Sequence, residues 1–95
     1  MTTLKDHSST ESSLHDAVAE LRLATNALRI DYQALLSLRR LRASEPVSDQ
    51  VSALLVAEID EMEATVTTGE ARLTLAHIAL IKAKREHELA KECRV

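Results

Sequence analysis

The chain has 95 residues, a net charge of −3, and a single Tyr, Gly, Pro and Cys. Strand-rich folds need aromatic and β-branched residues punctuated by Gly and Pro, so this composition points to an all-α protein. Slight acidity gives no bulk attraction to nucleic acid or anionic lipid, and lone Cys93 excludes an internal disulfide.

Residues 1–12 are mostly Ser, Thr and charge with no periodic apolar face, and they read as a disordered tail. The opening Met1-Thr2-Thr3-Leu4-Lys5-Asp6-His7 has no apolar core of a signal peptide, so the expected location is cytoplasmic.

A hairpin domain is expected over 13–93, beginning with a helix over about 13–43. Leu14, Leu21, Leu28 and Leu35 recur every seven residues, the a positions of a coiled-coil seam. Ala17, Ala24, Asp31 and Leu38 fall at d. Ser12 or Ser13 is the expected N-cap, and Arg39, Arg40 and Arg42 sit where the helix C-terminus favours cations. Asp31 either fixes register as a buried polar residue or pairs with arginines at the seam's edge.

Ser44-Glu45-Pro46-Val47 reads as a turn, because Pro46 is tolerated only near a helix start, and Ser44 or Ser48 can cap the next helix. So short a connection makes the two helices antiparallel neighbours.

A second helix is expected over about 48–92. Its seam carries Val51, Leu55, Ile59, Met62, Val66, Gly69, Leu73, Ala76, Leu80 and Ala83, in alternating steps of three and four; His87 and Ala90 continue the register. Val66-Thr67-Thr68-Gly69-Glu70 is a run of poor helix formers, and Thr67 with Glu70 has capping-box spacing. Either one long helix passes through, or a third begins near residue 68. The seam keeps its phase across Gly69, which favours one helix.

At about 1.5 Å per residue the two helices would be roughly 45 Å and 70 Å long, leaving about three C-terminal turns without an intramolecular partner. Leu75, Ile78 and Ile81 also lie off the seam that holds Leu73 and Leu80. A helix apolar on two faces is covered from two sides. Leu73, Leu75, Ile78 and Ile81 are therefore the expected contacts with another protein helix or a second copy. Leu14, Leu21, Leu28, Leu35, Leu55, Ile59, Met62, Val66 and Leu80 form the intramolecular seam.

No constellation points to chemistry. The residues three before His7, His15, His77 and His87 are Leu4, Ser12, Thr74 and Lys84, so the Glu-x-x-His of di-metal bundles is missing. His87-Glu88 lacks the second His of zinc proteases, because Lys91 stands there. No catalytic residue, cofactor or metal site is expected. Arg39-Arg40-Leu41-Arg42 follows the leucine repeat, whereas basic zippers place their basic region before it, and no nucleic-acid partner or membrane span is expected.

Two family resemblances rest on particular residues. Leu28-Arg29-Ile30-Asp31 and Leu35-Leu36-Ser37-Leu38-Arg39 resemble the first helix of the all-helical chorismate mutases, which implies dicarboxylate binding near Arg22, Arg29 and Arg39. The chain departs from that family by carrying Ser44-Glu45-Pro46 where it has a Gly- and Lys-containing segment. Met1-Thr2-Thr3-Leu4, Leu21-Arg22, the loop with Pro46 and Gln50, and Leu54-Leu55, Glu58 and Glu63 resemble the small co-chaperones of type III secretion needle subunits. That resemblance spans about residues 1–66 and implies a helical hairpin that keeps a needle protein unassembled in the bacterial cytosol. Residues 69–95 extend beyond the short members of that family. Together these features describe a non-enzymatic helical chaperone or adaptor, with a structural subunit of an oligomer or filament as the alternative.

Overall fold

A computed structural model describes residues 7–44 and 48–92. Two helices make up the fold: α1 (His7–Ser44, 38 residues) and α2 (Asp49–Glu92, 44 residues). They pack along their length as an antiparallel hairpin 71 Å long. Gly69 lies against Leu28, and Thr10 bonds His87; in both pairs the residue numbers add to 97. That register sets Leu14 level with Ala83, Leu21 with Ala76, Ala17 with Leu80 and Ala24 with Leu73. At these levels towards the open end each large side chain meets a small one, which lets the helices approach closely, whereas nearer the connection Leu35 falls level with Met62 and Leu38 with Ile59.

The core follows this division. Leu28, Leu35, Ile59 and Val66 form one buried cluster, with Leu38, Met62 and Leu73 packed against it. Towards the open end of the hairpin the buried positions are alanines: Ala17, Ala24, Ala76 and Ala83. Leu14, Leu21 and Leu80 are half-buried beside them, and Leu55 is buried near the connection. Val51, by contrast, is exposed rather than in the seam.

Expectations about the ends of the helices are corrected. Residues 7–12 belong to α1 and not to a disordered tail, so neither Ser12 nor Ser13 is an N-cap. Thr10 is only 2 % exposed. It stands four residues before Leu14, at the next d position, so the heptad register extends through a polar stretch. The tail expected over 1–6 lies outside the described residues.

With α1 starting at His7, the overhang vanishes. The helices are roughly 57 Å and 66 Å long at about 1.5 Å per residue, and α1 reaches His87.

α2 runs unbroken through Gly69, as the phase of its seam favours, and the three-helix alternative is not formed. The threonines in and around the weak stretch turn their hydroxyls onto the carbonyls one turn back: Thr65 to Glu61, Thr67 to Glu63, Thr68 to Ala64 and Thr74 to Glu70, at 3.0–3.1 Å. Thr67 is thereby engaged inside the helix and does not cap a new one. At the start of α2, Ser48 accepts a bond from the Val51 amide at 3.3 Å and acts as N-cap. Ser44 instead closes α1, donating to the Leu41 carbonyl at 3.2 Å. Glu45, Pro46 and Val47 of the expected turn lie outside the described residues.

Candidate functional site

The seam leaves each helix with two flanks and a back. One flank carries polar contacts between the helices among the described residues. Tyr32 donates to the Glu70 carboxylate at 2.8 Å, and Arg39 meets Glu63 at 3.6 Å. On the other flank the Arg72 guanidinium donates to Glu20 at 2.7 Å. Arg72 holds the Glu20 carboxyl below its ordinary range, and Glu20 in return raises Arg72. Donation to Glu70 pushes the Tyr32 hydroxyl up, because ionising it would lose the bond and place two anions together.

The expected contact residues of α2 divide. Leu73 packs against the core cluster and is not part of an outward face, which corrects its place among the partner contacts. Its neighbours Ala24 and Leu28 on α1 use that side of the helix. Leu75, Ile78 and Ile81 are 67 %, 44 % and 66 % exposed. Spaced by three, they form a slanting ridge across the back of α2, with Ile78 roughly opposite the seam. Exposed Ala64, Thr68 and Ala71 lead into this ridge at steps of four and three, continuing it toward the middle of the helix.

Residues of α1 that the leucine repeat does not include are exposed as well. Leu23, Ile30 and Leu41 stand at 58 %, 59 % and 50 %, and Leu36 is also exposed. The signal for Leu23 and Ile30 was their own seven-residue interval, running beside the stronger leucine repeat.

Among the described residues, shallow open grooves border the seam. One, about 460 Å³, is lined by Tyr32, Leu36, Arg39, Glu63, Thr67 and Glu70. Another, about 500 Å³, is lined by Glu11, Leu14, His15, Val18, Arg22 and His87. Arg22, Arg29 and Arg39 do not converge on either. They are separated by roughly 10 and 15 Å along the axis, and Arg39 is already engaged by Glu63. Among the described residues no three His, Cys, Asp or Glu side chains gather as a metal site. His87 is half-buried and bonded to Thr10 at 3.2 Å, while His77 bonds the Leu73 carbonyl. Among the described residues no arginine closes on Asp31; its carboxylate lies beside Gly69. Cys93 lies outside the described residues.

Among the described residues no helix is long and apolar enough to cross a membrane. No family model, curated protein or solved structure matches the chain. What the molecule itself offers as a site is the set of exposed apolar faces on a two-helix hairpin.

Proposed function

We propose that this chain is a non-enzymatic helical interaction module, a small chaperone or adaptor of the cytoplasm that receives a partner helix on the back of α2. The observation that carries the reading is the exposure of Leu75, Ile78 and Ile81 while Leu73 and Leu80 serve the hairpin's own seam. Covering a side chain of this size recovers on the order of 1–2 kcal/mol, so a ridge of three supports a reversible complex. Its step of three makes it one of the i±3n ridges that pack into the grooves of a neighbouring helix. Under the resemblance to needle-subunit co-chaperones, the client is a helical subunit kept from assembling.

The reading is tested by Ile78→Asp. The variant should keep the helical circular dichroism of the parent, because Ile78 is outside the core, and lose a client that wild-type protein retains from its native cell. Retention of the same client by the variant would place the contact elsewhere. Loss of helicity would mean that Ile78 serves the hairpin itself.

A further inference from the structure

The backs of the two helices, the sides turned away from the seam, complement each other in size and charge. Along the middle of the α1 back, small Ala19 is followed by larger Asn26, Gln33 and Arg40. Along the middle of the α2 back the order is inverted: small Ala57, Ala64 and Ala71 are followed by Ile78. All eight are exposed. Charge is inverted as well. Near the open end of the hairpin, α1 turns out Asp16 and α2 turns out Lys82; nearer the connection, α1 turns out Arg40 and α2 turns out Glu58 and Glu61.

We infer that the back of α1 packs antiparallel on the back of α2 of a second copy, displaced sideways without sliding along the long axis. The inference rests on the reading of the α2 back as a surface for a helix, and it names that helix. A sideways displacement keeps every level and every flank, so the pairs are those whose residue numbers add to about 97, as inside the hairpin. In the middle row an alanine then stands at each level: Ala19 meets Ile78, Asn26 meets Ala71, Gln33 meets Ala64 and Arg40 meets Ala57. Arg40 also comes within a turn of Glu58 and Glu61. On the Glu20–Arg72 flank Leu23 meets Leu75, Ile30 meets Thr68, Asp16 meets Lys82, and the Ser37 hydroxyl faces the Glu61 carboxylate. On the Tyr32–Glu70 flank His15 meets Ile81, Arg22 meets Thr74, Arg29 meets Thr67 and Leu36 meets Asp60, so these three rows oppose no like charges. Sliding by one heptad destroys the match. One direction sets Ile30 beside Glu61 and Asp16 beside Leu75; the other sets Leu23 beside Lys82 and Asp16 beside Leu89. From Asp16 to Arg40 the contact spans about 36 Å at about 1.5 Å per residue. Because its two faces differ, each copy offers α1 to one neighbour and α2 to another, and the contact propagates as an open series.

Sedimentation velocity of the full chain from about 1 µM to 1 mM should show growth past the dimer. Leu23→Asp and Leu75→Asp, both at exposed positions, should each remain a helical monomer. Mixed, the two variants should form a 1:1 dimer and nothing larger, because only the intact α1 of one and the intact α2 of the other can meet. In a Cys93→Ser background, Gln33→Cys mixed with Ala64→Cys should be joined across copies by a short bis-maleimide, and neither should be joined to itself. A wild-type chain that stays monomeric throughout overturns the inference, as does a mixture that forms no dimer or a single variant that still self-associates. Should either Asp variant lose its helicity, the linking experiment decides alone, and absence of the 33–64 link overturns the contact. The reading of α2 fails separately: a client lost on Ile78→Asp by a chain that never self-associates keeps that reading and removes only this one.

Discussion

Gly69 concentrates the compromise between helix propensity and packing. In an open helical site, replacing Gly with Ala stabilises by about 1 kcal/mol, through lower backbone entropy in the unfolded chain and better propensity. Here a Cβ would lie 3.0 Å from Leu28 Cδ1, closer than side chains comfortably approach. Leu28 belongs to the buried cluster and has no route into solvent, so it yields only by a small displacement of its own. The two terms oppose each other. Gly69→Ala should therefore show none of the usual gain and remain within about 1 kcal/mol of wild type in urea melts. Gly69→Leu, which inserts a full side chain between the helices, should cost about 2 kcal/mol or more. A clear stabilisation by Ala would mean that the helices are further apart at this level than the structure has them. The same close approach leaves Asp31 beside a residue without a side chain, so its carboxylate at a d position is half-buried instead of sealed under an apolar partner.

Each helix was legible to a different degree. The leucine repeat located α1 because its apolar residues outnumber polar ones along one stripe, and the alternating steps of three and four carried α2 through Gly69. The first turns of α1 were not legible from composition, since Ser8-Ser9-Thr10-Glu11-Ser12-Ser13 resembles a solvated tail. Only the heptad phase shows that Thr10 falls on the seam, where it bonds His87. Exposure of Ile78 and burial of Leu73 were separable by phase, yet the outward stripe of α1 was hidden because Leu23 and Ile30 alternate with alanines. The contacts that tie the helices on their flanks depend on long side chains meeting across the pair, which no single-helix pattern contains. Glu20 and Arg72 illustrate the consequence for pH. Glu20 has a lowered pKa in the hairpin, so its contribution is present above the ordinary value of 4.5 and is lost as pH falls through the folded value. Tyr32 has a raised pKa, so its contribution is present below the ordinary value of 10.0 and is lost as pH rises through the folded value. Both pairs are solvent-screened and each effect is small. Glu20→Gln should lower the melting temperature modestly at neutral pH, and the gap from wild type should close as pH falls from the ordinary value of 4.5 through the lowered folded value. A gap that stays constant across that range would mean that the Arg72 contact is not what the substitution removes.

Across the whole molecule, stability is distributed unevenly along the long axis. The large buried side chains gather over 28–38 of α1 and 59–73 of α2, in the half nearer the connection. The open half is closed by alanines and half-buried leucines, which bury less apolar area per turn. A hairpin has no third layer to compensate, so local opening follows the local core. Fraying at the far end of two helices joined at one end leaves the remaining contacts in place, whereas opening the middle requires both arms to separate. Amide hydrogen exchange should therefore rank the molecule by position. Amides over about 28–38 and 59–73 should exchange last, at a rate near that of global unfolding. Those over 10–20 and 77–90 should exchange faster by one or more orders of magnitude, each tenfold step corresponding to about 1.4 kcal/mol of opening energy. Dilution of the sample into the nanomolar range separates this gradient from any protection by self-association, which depends on concentration. If the arms at the open end were protected as strongly as the cluster at high dilution, the alanine seam would be contributing as much as the leucine one. Thr10→Val then becomes the informative variant: it keeps the volume at that level while removing the bond to His87, and faster exchange over 77–90 would assign the extra protection to that pair.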